Sequence, residues 1–306
     1  MFAQLTHTLL ELKYLLCMNF KHKIILVSLH ILLVASVFPQ EISELEIPLC
    51  PVSICGENTG DHEVHKYSGF SLCFRNSYKD AEWVSYTLTQ EKLIKNARRT
   101  NKFTEDKNIS TGSAKLSDYK ASGYDRGHLA PAADMAWSGQ SENESFLMSN
   151  ITPQAPQFNR GIWKELEVQV RKYAKTLDFL IVATGPVLEK QPEEYSFIGQ
   201  SKVRVPEYFY KVLLAKDKAG NWQSIGFIIP NEKSGHDIFS YKVCVNEVEE
   251  RCGIDFFSAL DDSIEEEVES QTENIFTKDY PVKPDNGNKD KGNNNDKNCN
   301  FQRLTI

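Results

Sequence analysis

Arg126, Gly127 and His128 stand together inside Tyr124-Asp125-Arg126-Gly127-His128-Leu129-Ala130-Pro131, and their types and spacing suit work on a phosphate. A neutral imidazole can take a proton from water near pH 7. A guanidinium fork binds two phosphate oxygens at once. On an extended strand residues two apart share a face, so Arg126 and His128 would point the same way. Gly127 would leave the opposite face open to close backbone approach. Thirty-one residues beyond the histidine, Asn159 opens a segment containing Glu167 and Arg171. The last two are four apart and lie on one helix face; alone they read as an ordinary ion pair. A straight helix would set Asn159 and Glu167 about 12 Å apart, too far for both to ligate one ion directly. A hydrated ion touching Asn159, with Glu167 holding its waters, fits that spacing, and magnesium keeps several waters. A base, a metal-binding oxygen and guanidinium groups are the parts of metal-assisted phosphodiester cleavage.

Elements are needed to position those parts. Glu82–Thr89 is rich in β-formers and reads as a strand, as do Leu177–Ala183 (ended by Thr184-Gly185-Pro186), Tyr208–Ala215 and Ser224–Ile229, with a turn at Gly220-Asn221. Ile162, Leu166, Val170 and Tyr173 recur at helical spacing, so 160–175 is expected to be an amphipathic helix. Val245–Cys252 reads as a short helix, and residues 41–65 as irregular. The pattern predicts an α+β domain with antiparallel strands. Residues 96–123 read as a polar loop whose Arg98, Arg99 and Lys102 would be the first to meet a polyanion.

The formal charge is −7, but residues 261–306 hold eleven acids against six bases, so most of that excess lies at one end. A local basic patch, not the sum, decides phosphate binding. Lys21-His22-Lys23 followed by the apolar run Ile24–Ala35 reads as a secretory signal peptide over 1–40, with 1–17 as an upstream extension. Export would make the chain secreted or periplasmic, without stable membrane association after cleavage. It would also leave six cysteines, an even number that favours disulfides, with Cys50–Cys55 and Cys244–Cys299 as candidate pairs. The expected division is 1–40 signal, 41–262 folded domain and 263–306 an acidic, Asn-rich tail, disordered from about 281. Asn-x-Ser/Thr sequons stand at Asn108, Asn143 and Asn150.

The chain resembles the DNA/RNA non-specific endonucleases of the ββα-metal superfamily. Asp125-Arg126-Gly127-His128 matches that family's signature. The likeness continues through Leu147–Gln154, Phe158–Glu167, Thr184-Gly185-Pro186, Val205–Val212 and Val245–Glu249. It implies a central antiparallel sheet flanked by helices, and one magnesium or manganese ion held by Asn159 directly and by Glu167 through water. It further implies His128 as general base, Arg126 and Arg171 offsetting charge on the phosphate, and Asp125 and Asn150 as supports around substrate; Arg99, from the basic cluster of the polar loop, is an added candidate for phosphate contact. DNA and RNA would be bound through phosphates and cut to 5′-phosphate ends, and a homodimer is an expected assembly. A phosphodiesterase on small nucleotides and a non-catalytic nucleic-acid-binding relative are the alternatives.

Overall fold

In the computed structural model, residues 45–49 and 60–278 are described. The expected leader, Cys50–Cys55, Cys299 and the Asn-rich tail therefore lie outside the described residues. The strands are β1 (His62–Lys66), β2 (Ser71–Arg75), β3 (Asp80–Leu88), β4 (Asp125–His128), β5 (Ile151–Gln154), β6 (Leu180–Pro186), β7 (Phe197–Ile198), β8 (Val203–Arg204), β9 (Tyr208–Lys216), β10 (Trp222–Pro230) and β11 (Lys242–Val243). Seven of them form one sheet in the order β1-β2-β3-β6-β9-β10-β11, every pairing antiparallel. β4 and β5 form a separate ribbon, in register from Asp125↔Gln154 to His128↔Ile151. The longer helices are α1 (Lys164–Ala174), α2 (Val245–Cys252) and α3 (Asp262–Glu269). No helix among the described residues is long and apolar enough to cross a membrane.

α1 and the turn that leads into it cover one face of the sheet with the residues the periodicity singles out: Ile162, Leu166, Val170 and Tyr173 are buried in one core with Leu72, Phe74, Val84, Leu88, Val182, Leu213 and Phe227. Each such side chain contributes about 1.5–3 kcal/mol. α2 packs on the other face, over β10, where a Cβ at Gly226 would come within 2.7 Å of Val248. Only glycine admits the helix that closely.

The structure departs from the sequence expectations in four places. β6 runs through Thr184-Gly185-Pro186 instead of ending there, because Gly185 lets the neighbouring strand close in: a Cβ would lie 2.1 Å from the Glu82 carbonyl. β1 lies partly within the stretch expected to be irregular. The helix expected over 160–175 begins with a broken turn, Asn159–Trp163, in which Gly161 leaves helical geometry (φ −102°, ψ −114°). The fourth departure is the boundary at 262. α3 runs across it, Ser224 Oγ donates to the Val268 carbonyl at 2.6 Å, and Phe276 is fully buried against Tyr173. The acidic composition there concealed a helix that buries Val268 together with two of its own acids, Glu265 and Glu269.

Cys244 is disulfide-bonded and Cys252 is a free thiol, so the six cysteines are not all paired with one another. Nearby, Glu249, Asp255 and Glu269 bring their carboxylates together between α2 and α3. Burial and the neighbouring acids push both Glu249 and Glu269 above the usual carboxylate range. A carboxyl whose folded pKa is raised contributes stability that is lost as pH rises from the unfolded carboxylate range through the folded value. Glu269→Gln should therefore stabilise the fold at neutral pH by about 1 kcal/mol, or roughly 2–4 °C in Tm for a domain of this size. A thermal melt at pH 7 showing no gain would sink that reading of the cluster.

Candidate active site

The ribbon places Arg126 and His128 as alternation predicts. Both side chains meet Phe103: the Arg126 guanidinium lies 4.4 Å from its ring centre, and the His128 ring 5.5 Å. Phe146 meets the imidazole edge to face at 4.9 Å and also carries the exposed Arg99, 5.0 Å away. What approaches Gly127 is a side chain, not backbone: a Cβ there would lie 2.1 Å from Gln154 on the paired strand. The motif glycine is thus required by packing.

His128 is 9% exposed, and its Nε2 is buried with no hydrogen-bond partner among the described residues. Burial, with the positive charges of Arg99 and Arg126, pulls its pKa down to about 3. The ring is neutral across the physiological range and can accept a proton.

The broken turn sets Asn159 beside the ribbon. Its Nδ2 donates to Asp125 at 2.9 Å, which leaves the amide oxygen for a ligand. Arg160 clasps the same carboxylate with two hydrogen bonds, the longer 2.7 Å. Burial would raise Asp125, but the Arg160 and Asn159 hydrogen bonds hold it below the usual range. Asp125 thus spends its oxygens on positioning Asn159 and Arg160.

On α1, Arg171 pairs not with Glu167 but with Asp134, at 2.7 Å. Asp134 is fully buried and also accepts from Tyr86 Oη at 2.9 Å. Glu167 receives no hydrogen bond from a described residue. Burial and Asp134 raise its pKa; Lys211, Arg171 and Arg99 oppose the rise. The positive charge of Arg99 acts on both Glu167 and His128.

Asn150 behaves differently from the other candidates. It is fully buried; its oxygen accepts from Ala130 N and its nitrogen donates to the Ala130 and Ser145 carbonyls. With its amide spent on backbone, it braces the segment after His128 and does not reach substrate. Its sequon is closed to a sugar, while Asn108 and Asn143 are exposed.

Two residues here escaped the sequence reading. Asp134 is the only acid in the apolar run Ala132-Ala133-Asp134-Met135-Ala136, which was its signal. Lys211 interrupts the apolar strand β9; it is buried, its Nζ lies 4.7 Å from the Trp163 ring centre, and Nζ has no hydrogen-bond partner among the described residues. Burial lowers its pKa, while Glu167 and Asp134 oppose the shift. A cation beneath two carboxylates offsets part of their mutual repulsion.

The hard oxygen donors at Asn159 and Glu167 suit magnesium or manganese, which bind through few protein oxygens. The Asn159 amide oxygen, which Asp125 does not use, and the Glu167 carboxylate, without a hydrogen bond from a described residue, are donors of the type such an ion takes.

A family model described as DNA/RNA non-specific endonuclease matches residues 53–263. The chain is 33% identical over 207 residues to the mitochondrial nuclease EXOG of Danio rerio, covering 63% of this chain and 60% of that protein. It is 32% identical over 230 residues to a nuclease of Nostoc sp., covering 71% and 81% of the two chains. Against the mitochondrial endonuclease G of Bos taurus it is 32% identical over 181 residues, covering 56% and 60%. The crystal structure of an EndoG/EndoGI complex superposes with a TM-score of 0.62 at 28% identity, covering 72% of this chain and 93% of that one. The chain spans about 60% of the length of the EXOG relatives from Danio rerio and Xenopus laevis. These relatives overturn the expectation of a secreted or periplasmic protein with a secretory signal: EXOG and endonuclease G are mitochondrial, and they point there instead. A basic start before an apolar run serves more than one sorting route, so composition alone could not choose between them.

Proposed function

Because this chain belongs to the DNA/RNA non-specific endonuclease family, we propose that it hydrolyses phosphodiester bonds within DNA and RNA, leaving 5′-phosphate ends, with His128 as general base. The observation that carries this reading is the buried, neutral His128, its Nε2 without a partner among the described residues and the ring under the positive charges of Arg99 and Arg126.

Asn159 and Glu167 would hold the divalent ion, magnesium or manganese, the latter through water. When bound, such an ion supplies Lewis-acid stabilisation of charge developing on the phosphate and leaving oxygen. His128 Nε2 takes the proton of the attacking water. Arg126 and Arg99, held against Phe103 and Phe146, bind the non-bridging oxygens of the phosphate. Arg171, fixed by Asp134, adds positive charge that partly balances Glu167. Phe103 and Phe146 keep solvent off the imidazole and so keep it unprotonated. Contacts confined to phosphate and sugar carry no base sequence, so cleavage should be indifferent to sequence. Binding should weaken with salt as cations are released from the nucleic acid.

The test is nicking of supercoiled plasmid and cleavage of a single-stranded RNA, each with magnesium, manganese or EDTA. Both substrates should be cut with either metal and neither in EDTA. In Asn159→Ala the metal concentration for half-maximal rate should rise at least about tenfold, a ligand loss costing no less than loss of an outer-shell partner. Cleavage that persists in EDTA, or a folded wild-type chain inert on both polymers, would refute the proposal.

A further inference from the structure

Away from the site just described, the first three strands of the sheet bring a histidine, a cysteine and a carboxylate to one point. His62 stands at the start of β1, Cys73 in β2 and Glu82 in β3. One donor atom from each lies within 4.8 Å of the others. All three are buried: His62 is 9% exposed, Cys73 0% and Glu82 4%. Cys73 sits between Leu72 and Phe74, which face the core under α1, so its side chain takes the opposite face.

The contacts show how the donors are aimed. His62 Nδ1 lies 2.7 Å from Glu82 Oε1 and 3.9 Å from Cys73 Sγ. A relay from cysteine through histidine to carboxylate would use both ring nitrogens, one for each partner. Here one nitrogen faces both, so the group is not a nucleophilic triad. Burial and the Glu82 charge also push the Cys73 thiol up, which removes thiolate at neutral pH. One nitrogen, one sulfur and one oxygen converging on a common point form a coordination shell instead. The other carboxylate oxygen, Glu82 Oε2, is engaged by Arg75 Nη1 at 3.4 Å, and Arg75 Nε is held by Asp61 at 3.1 Å. This is the outer hydrogen bond that orients a metal-binding carboxylate while leaving Oε1 turned inward.

We propose that His62, Cys73 and Glu82 form a zinc site, separate from the catalytic ion, that ties β1, β2 and β3 together. A tetrahedral zinc ion with ordinary bond lengths sets its donors roughly 3.4–3.6 Å apart. The observed separations of 2.7 and 3.9 Å lie either side of that range, so small side-chain rotations close the shell. Binding displaces the Cys73 thiol proton to solvent; the thiolate and carboxylate then balance the two positive charges of zinc. A soft sulfur with an imidazole selects zinc over the magnesium or manganese suited to Asn159 and Glu167. Three protein ligands leave the fourth position for water.

The test uses the full chain carrying Asn159→Ala, so that the catalytic ion does not contribute, and does not depend on nuclease activity. Cobalt is added to metal-free protein and the absorption spectrum recorded. A thiolate-to-cobalt charge-transfer band, saturating at one equivalent and displaced by zinc, is the expected result; it reports sulfur ligation, which Asn159 and Glu167 cannot give. One equivalent of zinc should raise the Tm by about 5 °C or more over the chelator-treated protein. Cys73→Ser should abolish the band, and His62→Gln should weaken cobalt binding at least tenfold. Absence of the band in folded protein, or a band that survives Cys73→Ser, overturns the proposal.

Discussion

His128→Ala is expected to lower the rate of plasmid nicking by about 10²–10⁴-fold, the range a positioned general base supplies. Nothing else described in the site can replace it: Glu167 is the remaining candidate base, and it is surrounded by Asp134, Lys211 and Arg171 on the helix side. Overall folding should survive, because the imidazole Nε2 accepts no hydrogen bond from a described residue whose loss would strand a donor. Edge-to-face packing against Phe146 would be lost, at a cost of about 0.5–1.5 kcal/mol. The same substitution has a signature in pH. His128 titrates at about 3 in the folded protein against an ordinary value of 6.5, so the native state binds fewer protons than the unfolded chain between those limits. Its contribution to stability is therefore full above pH 6.5 and is lost as pH falls toward 3. Removing it should flatten the acid side of the stability profile. Single-turnover nicking together with urea melts at pH 4.5 and 7 measures both effects. A nicking rate within tenfold of wild type would end the general-base assignment.

The second large effect is expected at Asp134, which the sequence reading passed over. Asp134→Ala removes a fully buried carboxylate that receives Arg171 at 2.7 Å and the buried Tyr86 hydroxyl at 2.9 Å. Breaking a buried pair from one side leaves an uncompensated charge and costs about 3–5 kcal/mol. For a domain of this size that is roughly 6–20 °C in Tm. Asp134→Asn should fall between, since an amide can still accept from the guanidinium and the phenol without balancing the charge. Activity of Asp134→Ala should drop even at temperatures where it is folded, because Arg171 loses its anchor. Thermal melts paired with nicking assays well below the melting point separate the two consequences. A Tm within about 2 °C of wild type would show that Arg171 finds another partner.

Local pattern was enough for much of this molecule. Alternation found β3, β9 and β10, and helical spacing found the buried face of α1, because each depends on residues a few positions apart. Four consecutive residues also revealed the Arg126–His128 pair, since a strand fixes which side chains share a face. What stayed hidden depended on contacts between distant segments. Asp134 and Lys211 meet Glu167 only after β9, α1 and the segment after β4 have come together. The Arg171 partner could not be read from the helix alone, where Glu167 is the obvious choice by spacing. Asn150 lay in a run that resembles the family, but only burial shows that its amide is already occupied by backbone. The broken turn at Gly161 was equally illegible: a glycine in a helical pattern does not say whether the helix will continue.

Gly127 and Gln154 also bear on how such a site can change over generations. In the proposed mechanism the arginine and histidine of the motif act on substrate, whereas the glycine is fixed by Gln154, which occupies the space a Cβ would need. The two positions are therefore tied by sterics across the ribbon, although they lie twenty-seven residues apart in the chain. A lineage can enlarge residue 127 only after residue 154 has become smaller; taken in the reverse order, the intermediate sequence displaces the strand that carries the base. The order of substitutions, and not merely their identity, thus limits which neighbouring sequences this site can reach.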